Sequence, residues 1–287
     1  MRSGYGIVLS GGGVYGAMLL GAVKAKFEDK LSKGEVKMFA GTSSGAIIAT
    51  LLSVGYSCDE ILEEIKKRLP IIQTDSIKFT NLFERFGLFT NDKLLLLVIE
   101  MLKAKIPMCT DLTFQKLYER FHVNLIITGT NLTRQKAVYF EKNDYPNMSI
   151  IDALEITCCI PLVFPFVLYE DEIYVDGMMV DNFPITYANT YVNDEGLDVE
   201  LHCFTITYDR TPKPTSLFAY IECLVRFVIH MLQYYQRQTY DNVHIYEINT
   251  ARTMSLTTSN PYDMDILFQD GIINILKNHS SNLVNEC

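Results

Sequence analysis

The chain of 287 residues contains no tryptophan and only five histidines, and it has no long uninterrupted apolar run. The two longest apolar stretches are residues 94–99 and 217–235, and the second is interrupted by Glu222 and Arg226. A membrane-spanning helix needs about 20 predominantly apolar residues. We therefore expect no transmembrane helix. The strand-like run that begins at Gly6 also leads us to expect no cleaved leader.

Clusters of basic residues are missing as well. The chain holds 34 acidic and 25 basic side chains, which gives a formal net charge of −9. An acidic chain without a basic patch has no electrostatic attraction for nucleic acids or for anionic membranes. We therefore expect neither as a charge-matched partner. A hydrophobic share of 48% predicts a globular chain with a sizeable core.

None of the seven cysteines belongs to a Cys-x-x-Cys pair. No set of cysteines and histidines has the spacing of a zinc finger. The number of cysteines is odd, so at least one cannot be paired within the chain. We expect reduced thiols in a cytoplasmic protein.

Strand-like and helix-like segments alternate from the start of the chain. Residues 5–10 predict a strand, the three glycines after them predict a turn, and residues 15–27 predict a helix. The same order of strand, turn and helix is predicted for residues 36–54. This alternation is typical of an α/β fold, here a single domain with a mostly parallel central sheet and helices on both faces. Further helices are predicted at residues 59–68, 91–105, 112–120, 150–157, 216–238 and 264–276, and further strands at residues 123–129, 137–141, 172–175, 200–207 and 243–248.

The segment Gly41-Thr42-Ser43-Ser44-Gly45 fits the pattern Gly-x-Ser-x-Gly. Between a strand and a helix, this pattern is typical of a nucleophile elbow, a sharp turn that exposes the central serine hydroxyl. The N-terminus of the following helix directs free N–H groups and a positive dipole end toward that hydroxyl. Ser43 is therefore the predicted nucleophile.

The segment 10–16 is rich in glycine, and Gly11-x-Gly13-x-x-Gly16 also matches the dinucleotide-binding fingerprint. That fingerprint requires an acidic residue at the end of the second strand, which would bind a ribose hydroxyl. The second strand of this chain ends in the serine motif instead. An oxyanion hole is the better interpretation, because consecutive glycines let backbone N–H groups converge on a small anion.

A third motif, Asp176-Gly177, follows a predicted strand, although Asp-Gly is also common in ordinary turns. A serine hydrolase usually takes a histidine as its base. The histidines are at positions 122, 202, 230, 244 and 279, and none lies in a recognisable catalytic loop. The sequence therefore favours a serine that is activated without histidine.

These three motifs, in this order, resemble the signatures of patatin-like phospholipases: a glycine-rich oxyanion loop, a Gly-x-Ser-x-Gly elbow and an Asp-Gly-Gly/Ala motif. The segments around them are similar to the family too, including Cys159-Ile160-Pro161 with the Phe164-Pro165 that follows, and Asp181-Asn182-Phe183-Pro184. The resemblance extends from about residue 7 to residue 187 and then weakens. It implies a patatin-like three-layer α/β sandwich, with a catalytic core at residues 5–187 that residues 188–287 complete.

The resemblance also implies a chemistry. Ser43 and Asp176 would form a catalytic dyad, and the backbone of Gly11, Gly12, Gly13 and Ser44 would form the oxyanion hole. The activity would be that of a lipid acyl hydrolase, like a phospholipase A or a lysophospholipase. It would need no metal and no organic cofactor. Its partner would be a lipid or phospholipid substrate, met by transient contact with a membrane or micelle surface.

The chain departs from the family pattern at three positions. Ser10 stands where plant members often have Asp, although Ser is also usual there. Tyr15 replaces the usual Arg or Lys before the last glycine of the loop, and Met178 replaces the second Gly or Ala of the aspartate motif. None of the three is the nucleophile or the base, so an active enzyme is favoured over an inactive homologue.

Two questions remain open at the level of sequence. The aromatic and aliphatic residues Phe79, Leu82, Phe83 and Phe86 recur at helical spacing, which favours core packing over a lipid-admitting lid. The function has alternatives from other classes: an α/β-hydrolase with a Ser-His-Asp triad, a nucleotide-binding oxidoreductase, and a lipid-binding homologue without catalysis.

Overall fold

A mixed sheet of eight strands forms the centre of the computed structural model, which describes residues 4–72, 86–209, 213–235, 243–252 and 260–284. The strands β1 to β8 are Gly4–Leu9, Val36–Gly41, Asn124–Asn131, Lys136–Phe140, Val167–Tyr169, Glu172–Asp176, Val199–Tyr208 and Val243–Thr250. Their order in the sheet is β5-β6-β3-β2-β1-β7-β8, and β4 pairs with β3. The pairs among β3, β2, β1, β7 and β8 are parallel, whereas β4, β5 and β6 pair antiparallel with their neighbours.

Helices cover both faces of this sheet, which confirms the predicted fold class. The helices α1 to α9 are Gly16–Ser32, Ser44–Ser53, Cys58–Ile72, Asp92–Lys105, Phe114–Phe121, Ile150–Thr157, Ile185–Asp194, Leu217–Tyr235 and Pro261–Val284. On one face, α1, α2, α4, α6 and α9 pack on the larger apolar core, which includes Ile7, Leu9 and Phe204. On the other face, α7 packs on a smaller core around Val8, Met38 and Cys203.

The helices α1 and α9 cross in backbone contact. A Cβ atom on Gly21 would lie 2.0 Å from the carbonyl oxygen of Phe268, and one on Gly271 would lie 2.1 Å from that of Met18. Only glycine allows two helices to approach this closely. The last helix is thereby held against the first, whose N-terminus follows the glycine loop.

The predicted elements agree with the structure except in a few places. The sequence analysis missed α7 and the short strand β5, and it ended α1 and α9 too early. Phe79, Leu82 and Phe83 lie outside the described residues. Phe86, by contrast, is exposed and stacks on Phe166 with 5.8 Å between ring centroids.

Two expectations from the sequence concern the state of the thiols and the presence of a membrane-spanning helix. The six cysteines among the described residues are all free thiols. None of the helices in this part of the chain is long and apolar enough to cross a bilayer.

Candidate active site

Ser43 lies in a sharp turn between β2 and α2. Its backbone has φ 53° and ψ −126°, a conformation that L-residues rarely adopt and that costs about 1–3 kcal/mol. The glycines on either side allow the turn: a Cβ on Gly41 would lie 2.6 Å from the carbonyl of Gly45, and one on Gly45 would lie 2.4 Å from that of Ser10. The Ser43 N–H donates to Oγ1 of Thr157 at 2.8 Å. The serine is therefore held in its strained conformation by close packing and by a buried hydroxyl.

The register of the sheet brings Asp176 to the height of Ser43. Gly41 pairs with Ile127 in β3, so Gly129 lies two residues further along, at the level of Ser43. The strand β6 runs antiparallel to β3, and its last residue, Asp176, pairs with Gly129. The next residue is glycine because a Cβ on Gly177 would lie 2.5 Å from the carbonyl oxygen of Thr128.

Asp176 is a fully buried carboxylate. Its Oδ1 accepts a hydrogen bond from the N–H of Met178 at 2.9 Å. Burial raises the pKa of Asp176 to about 7, although the Met178 N–H and the Ser43 hydroxyl act in the opposite direction. Oδ2 has no partner with hydrogen-bond geometry, so the Ser43 hydroxyl is near the carboxylate but not aligned with it. Such loose contacts are common in enzymes without bound substrate.

The glycine loop faces Ser43 and is held by Asn182. The Gly11 N–H donates to the Asn182 carbonyl at 3.0 Å, and the Asn182 side-chain amide donates to the Gly11 carbonyl at 3.2 Å. The Gly11 N–H is therefore occupied within the protein. Among the described residues, no acceptor is found for the backbone N–H groups of Gly12, Gly13 and Ser44. Three of the four predicted oxyanion donors are thus free to bind a ligand.

The segment 181–183 joins the elbow to the loop. Oγ1 of Thr42 donates to the Asp181 carbonyl at 3.0 Å, and the Tyr139 hydroxyl donates to Oδ2 of Asp181 at 2.7 Å. In the sequence, Asp181 and Asn182 belong to a segment that is similar to the family, and no role was predicted for either residue. The sequence analysis missed Thr157 altogether, because only the folded chain brings this residue to the Ser43 N–H.

The two departures beside the site have structural explanations. Tyr15 is buried, and its hydroxyl donates to the Arg252 carbonyl at 2.8 Å. The guanidinium of Arg226, from α8, lies 5.2 Å from the ring centroid of Tyr15 and 4.7 Å from that of Tyr208. A positive charge is therefore present beside the loop, although the loop itself carries none. Met178 contributes its backbone N–H to Asp176 and packs its side chain in the core.

The four histidines among the described residues form no hydrogen bond with Ser43. His202 pairs with Ile7 in the middle of β1, and His244 pairs with His202. His122 ends α5, before β3 begins, and His230 is exposed on α8.

Seven buried side-chain polar atoms in the described part of the chain have no hydrogen-bond partner. Buried polar groups are normally paired, so each exception needs an explanation. For Arg68 Nη1 the explanation is its ion pair with Glu64. His202 Nε2 lies in the middle of the sheet, apart from the segments around Ser43. The other five belong to the segments that meet at Ser43: Ser10 Oγ, Ser44 Oγ, Thr128 Oγ1, Asp176 Oδ2 and Asn182 Oδ1. This concentration is typical of a site that receives a polar ligand.

A small, mainly apolar pocket lies next to Ser43, between α2, α4 and α6. Cys158 connects the two, because its thiol lines the pocket and also interacts with the Ser43 hydroxyl. Burial and the nearby Asp176 raise the pKa of Cys158, so the thiol stays neutral. The pocket is lined by Ile47, Asn91, Leu94, Leu95, Val98, Leu154, Glu155 and Cys158.

Comparison with known proteins agrees with this geometry. Residues 7–189 match the family model of patatin-like phospholipases. The chain is 34% identical over 208 residues to protein R571 of Acanthamoeba polyphaga mimivirus. The aligned region covers 66% of this chain and 67% of the relative. The chain is 32% identical over 189 residues to the probable lipid hydrolase 463L of Invertebrate iridescent virus 6, which covers 65% of this chain and 64% of the relative. The matches thus span about two thirds of these viral proteins.

A solved structure has the same fold. VipD from Legionella pneumophila superposes with a TM-score of 0.54 over 96% of this chain and 67% of its own, at 19% sequence identity. A likeness at this level of identity concerns the fold alone.

The buried charge of Asp176 predicts a pH-dependent cost to stability. Its pKa in the folded protein, about 7, lies above that of an unfolded aspartate, about 3.9. The fold therefore loses stability as the pH rises from about 4 to about 7. We expect Asp176→Asn to stabilise the fold more at pH 8 than at pH 5, with a difference of roughly 2–3 kcal/mol in unfolding free energy between the two pH values.

Melting temperatures of both proteins at the two pH values test this. The exposed Asp194→Asn is the matched control and should shift equally little at both. An equal effect of Asp176→Asn at pH 5 and pH 8 would contradict the prediction, because it would mean that ionisation of this carboxyl group does not destabilise the fold.

Proposed function

Because the chain belongs to the patatin-like phospholipase family, we propose that it is a lipid acyl hydrolase with Ser43 as nucleophile and Asp176 as base. The observation that carries this proposal is the Ser43 hydroxyl beside a buried carboxylate with a pKa of about 7. A general base is most effective when its pKa is near the working pH. The named activity of the iridescent virus relative, a probable lipid hydrolase, supports the substrate class.

The reaction begins when Oδ2 of Asp176 takes the Ser43 proton. Ser43 Oγ attacks the carbonyl carbon of a lipid ester and forms a tetrahedral intermediate. The intermediate collapses, the alcohol or lysolipid leaves with the proton from Asp176, and an acyl-serine remains. Asp176 then deprotonates a water molecule, which attacks the acyl group and forms a second tetrahedral intermediate. As this intermediate collapses, Asp176 returns the proton to Ser43 Oγ and the fatty acid leaves.

The N–H groups of Gly12, Gly13 and Ser44 stabilise the oxyanion of each tetrahedral intermediate. They have no acceptor among the described residues, and Ser44 begins a helix whose positive dipole end adds to the effect. Each such donor is worth about 10²–10³ in rate. Gly11 acts differently, because its N–H is bound to Asn182 and so positions the loop.

The apolar pocket marks the side of Ser43 on which hydrocarbon would be accommodated. Its aliphatic lining comes from Ile47, Leu94, Leu95, Val98 and Leu154, and Cys158 connects it to Ser43. Its volume of about 10 Å³ is that of a single water molecule, so an acyl chain needs the pocket to widen.

The helix α8 provides a lipid-facing surface beside the site. Ile221, Val225 and Ile229 are buried, whereas an apolar stripe on the other side is exposed: Leu217, Tyr220, Leu224 and Phe227. Phe227 is 62% exposed. The same helix reaches the glycine loop through Arg226 and contacts the turn Gly177–Met179 after Asp176. An apolar stripe this close to the nucleophile fits the surface of a membrane or micelle as its occupant.

Ser43→Ala tests the nucleophile. We expect it to abolish labelling by a fluorophosphonate probe and to lower turnover of a short-chain ester by at least about 10³-fold, because the attacking oxygen is lost. Ser44→Ala is the control and should keep most activity, since only its backbone N–H takes part. A well-folded Ser43→Ala protein with full activity would overturn the proposal, and labelling at Ser43 separates an enzyme from a lipid-binding homologue.

Asp176→Asn tests the base. It keeps the shape of the side chain and removes its basicity, so kcat/KM should fall about 10³–10⁴-fold. In the unaltered protein, kcat/KM should rise about tenfold per pH unit up to about pH 7 and then level off, because Asp176 must lose its proton. Replacement of each histidine by Gln should leave most of the rate. A folded histidine variant without activity, beside an active Asp176→Asn, would favour a Ser-His-Asp triad.

Leu224→Ser and Phe227→Ser test the lipid-facing surface. Each removes apolar area from the stripe, so hydrolysis of phospholipid vesicles should fall about tenfold, while hydrolysis of a soluble short-chain ester stays unchanged. Leu276→Ser, at an equally exposed leucine of α9, is the matched control. Equal loss on both substrates would assign the stripe to the fold rather than to lipid contact.

A further inference from the structure

The unpaired Nε2 atom of His202 lies outside the region of Ser43. His202 is 94% buried, since only 6% of it is exposed, and Nε2 has no hydrogen-bond partner. Its other ring nitrogen, Nδ1, is within 3.0 Å of the Tyr246 hydroxyl. When Nδ1 donates to that oxygen, Nε2 presents a buried lone pair.

Two further metal-binding side chains surround this nitrogen. His202 in β7 pairs with His244 in β8, and Glu200 lies two residues before His202, on the same face of the sheet. Glu200 Oε2 is 3.9 Å from His202 Nε2, and the other carboxylate oxygen contacts Nε2 of His244. Ligand atoms of the three side chains lie within 4.8 Å of one another, which no other group of His, Cys, Asp or Glu does in the described ranges.

The packing orients the buried histidine in advance. The His202 ring lies edge-on to Phe27 of α1, with 4.6 Å between centroids, and is stacked on the His244 ring at 4.8 Å and 16°. The Phe27 ring and the Tyr246 contact fix the plane of the imidazole. Metal-ligating histidines are typically oriented by a hydrogen bond to the second ring nitrogen.

We propose that Glu200, His202 and His244 bind a divalent transition-metal ion, for which Zn²⁺ is the best fit. Two imidazoles and one carboxylate, with an open position for water, are a common Zn²⁺ ligand set. Ligand atoms around tetrahedral Zn²⁺ lie about 3.3 Å apart, given bonds of about 2.0–2.1 Å. Glu200 and His244 are partly exposed and can rotate to close the remaining distance.

The types of ligand select the ion. Glu200 is the one carboxylate of the cluster, and the other two side chains are imidazoles. Hard cations such as Ca²⁺ and Mg²⁺ need several oxygen ligands, which this cluster does not offer. Imidazole binds through a lone pair rather than a charge, which favours Zn²⁺ and its neighbours.

The site is separate from the catalytic turn and acts on the fold. His202 lies beside Ile7 in mid-strand, whereas Ser43 follows the end of β2. Since β8 is the edge strand, a bound ion would fasten it to β7. The proposal therefore does not depend on the hydrolase activity.

Metal binding by the purified full chain, freed of metal with a chelator, tests the proposal. We expect calorimetry to show one Zn²⁺ per chain, no binding of Ca²⁺, and a rise in melting temperature with added Zn²⁺. Co²⁺ should bind with the absorption of nitrogen and oxygen ligands and without a thiolate band. Chelation should leave the hydrolysis of a soluble ester unchanged.

Substitutions at the exposed ligands assign the site without disturbing the core. His244→Gln and Glu200→Gln should each weaken Zn²⁺ binding at least about tenfold and remove the thermal response. His230→Gln, at an exposed histidine of α8, is the matched control and should bind like the unaltered chain. The proposal would be overturned if the chain bound no Zn²⁺ or if neither substitution affected binding. It would also be overturned if His230→Gln weakened binding equally, or if Co²⁺ gave a thiolate band.

Discussion

The close approach of β1, β2 and α2 is the constraint on which the site depends. Gly45 lies so near to Ser10 that no side chain fits between them, and this contact forces the chain through the strained backbone of Ser43. The strain is balanced by the hydrogen bond to Thr157 and by the tie from Thr42 to Asp181. The same segment 181–183 holds Gly11, so Ser43 and the loop that faces it are positioned together.

Asp176 introduces the opposing requirement. A carboxylate in a fully buried position is costly when charged, and two donors reduce this cost without removing it. That incomplete compensation suits the base that we propose Asp176 to be. Full pairing of both oxygens would lower the pKa of Asp176 and leave too weak an acceptor for the Ser43 proton. The unpaired polar atoms around Ser43 fit this view, because the fold leaves them without hydrogen-bond partners.

Local features of the site were predictable from the sequence, and distant ones were not. Gly41, Gly45 and Gly177 mark positions where a Cβ would collide with backbone, so the motifs report the turns directly. The helix α7 was missed because it follows Pro184 and is rich in β-branched, aromatic and Asn residues, which have low helix propensity. It is stabilised by burial of Ile185, Ala188 and Tyr191 on the sheet.

The pairing of strands is the second kind of information that a single sequence does not hold. The segments that became β7 and β8 were correctly predicted as strands, but nothing in either one indicates that they are neighbours. Only the register places His202 opposite His244 and makes a cluster from residues that looked like ordinary strand histidines. The same holds for Thr157, whose hydroxyl meets the Ser43 N–H from a distant helix.

Tyr15 and Arg226 illustrate how the fold can supply what a motif lacks. The loop carries an uncharged aromatic residue where relatives of this type usually carry a cation, yet the Arg226 guanidinium lies over that ring. Cation–π contact of a buried guanidinium contributes about 2 kcal/mol or more. The charge now comes from α8, the helix that also bears the exposed apolar stripe. The Tyr15 ring therefore connects α8 to the glycine loop that faces Ser43.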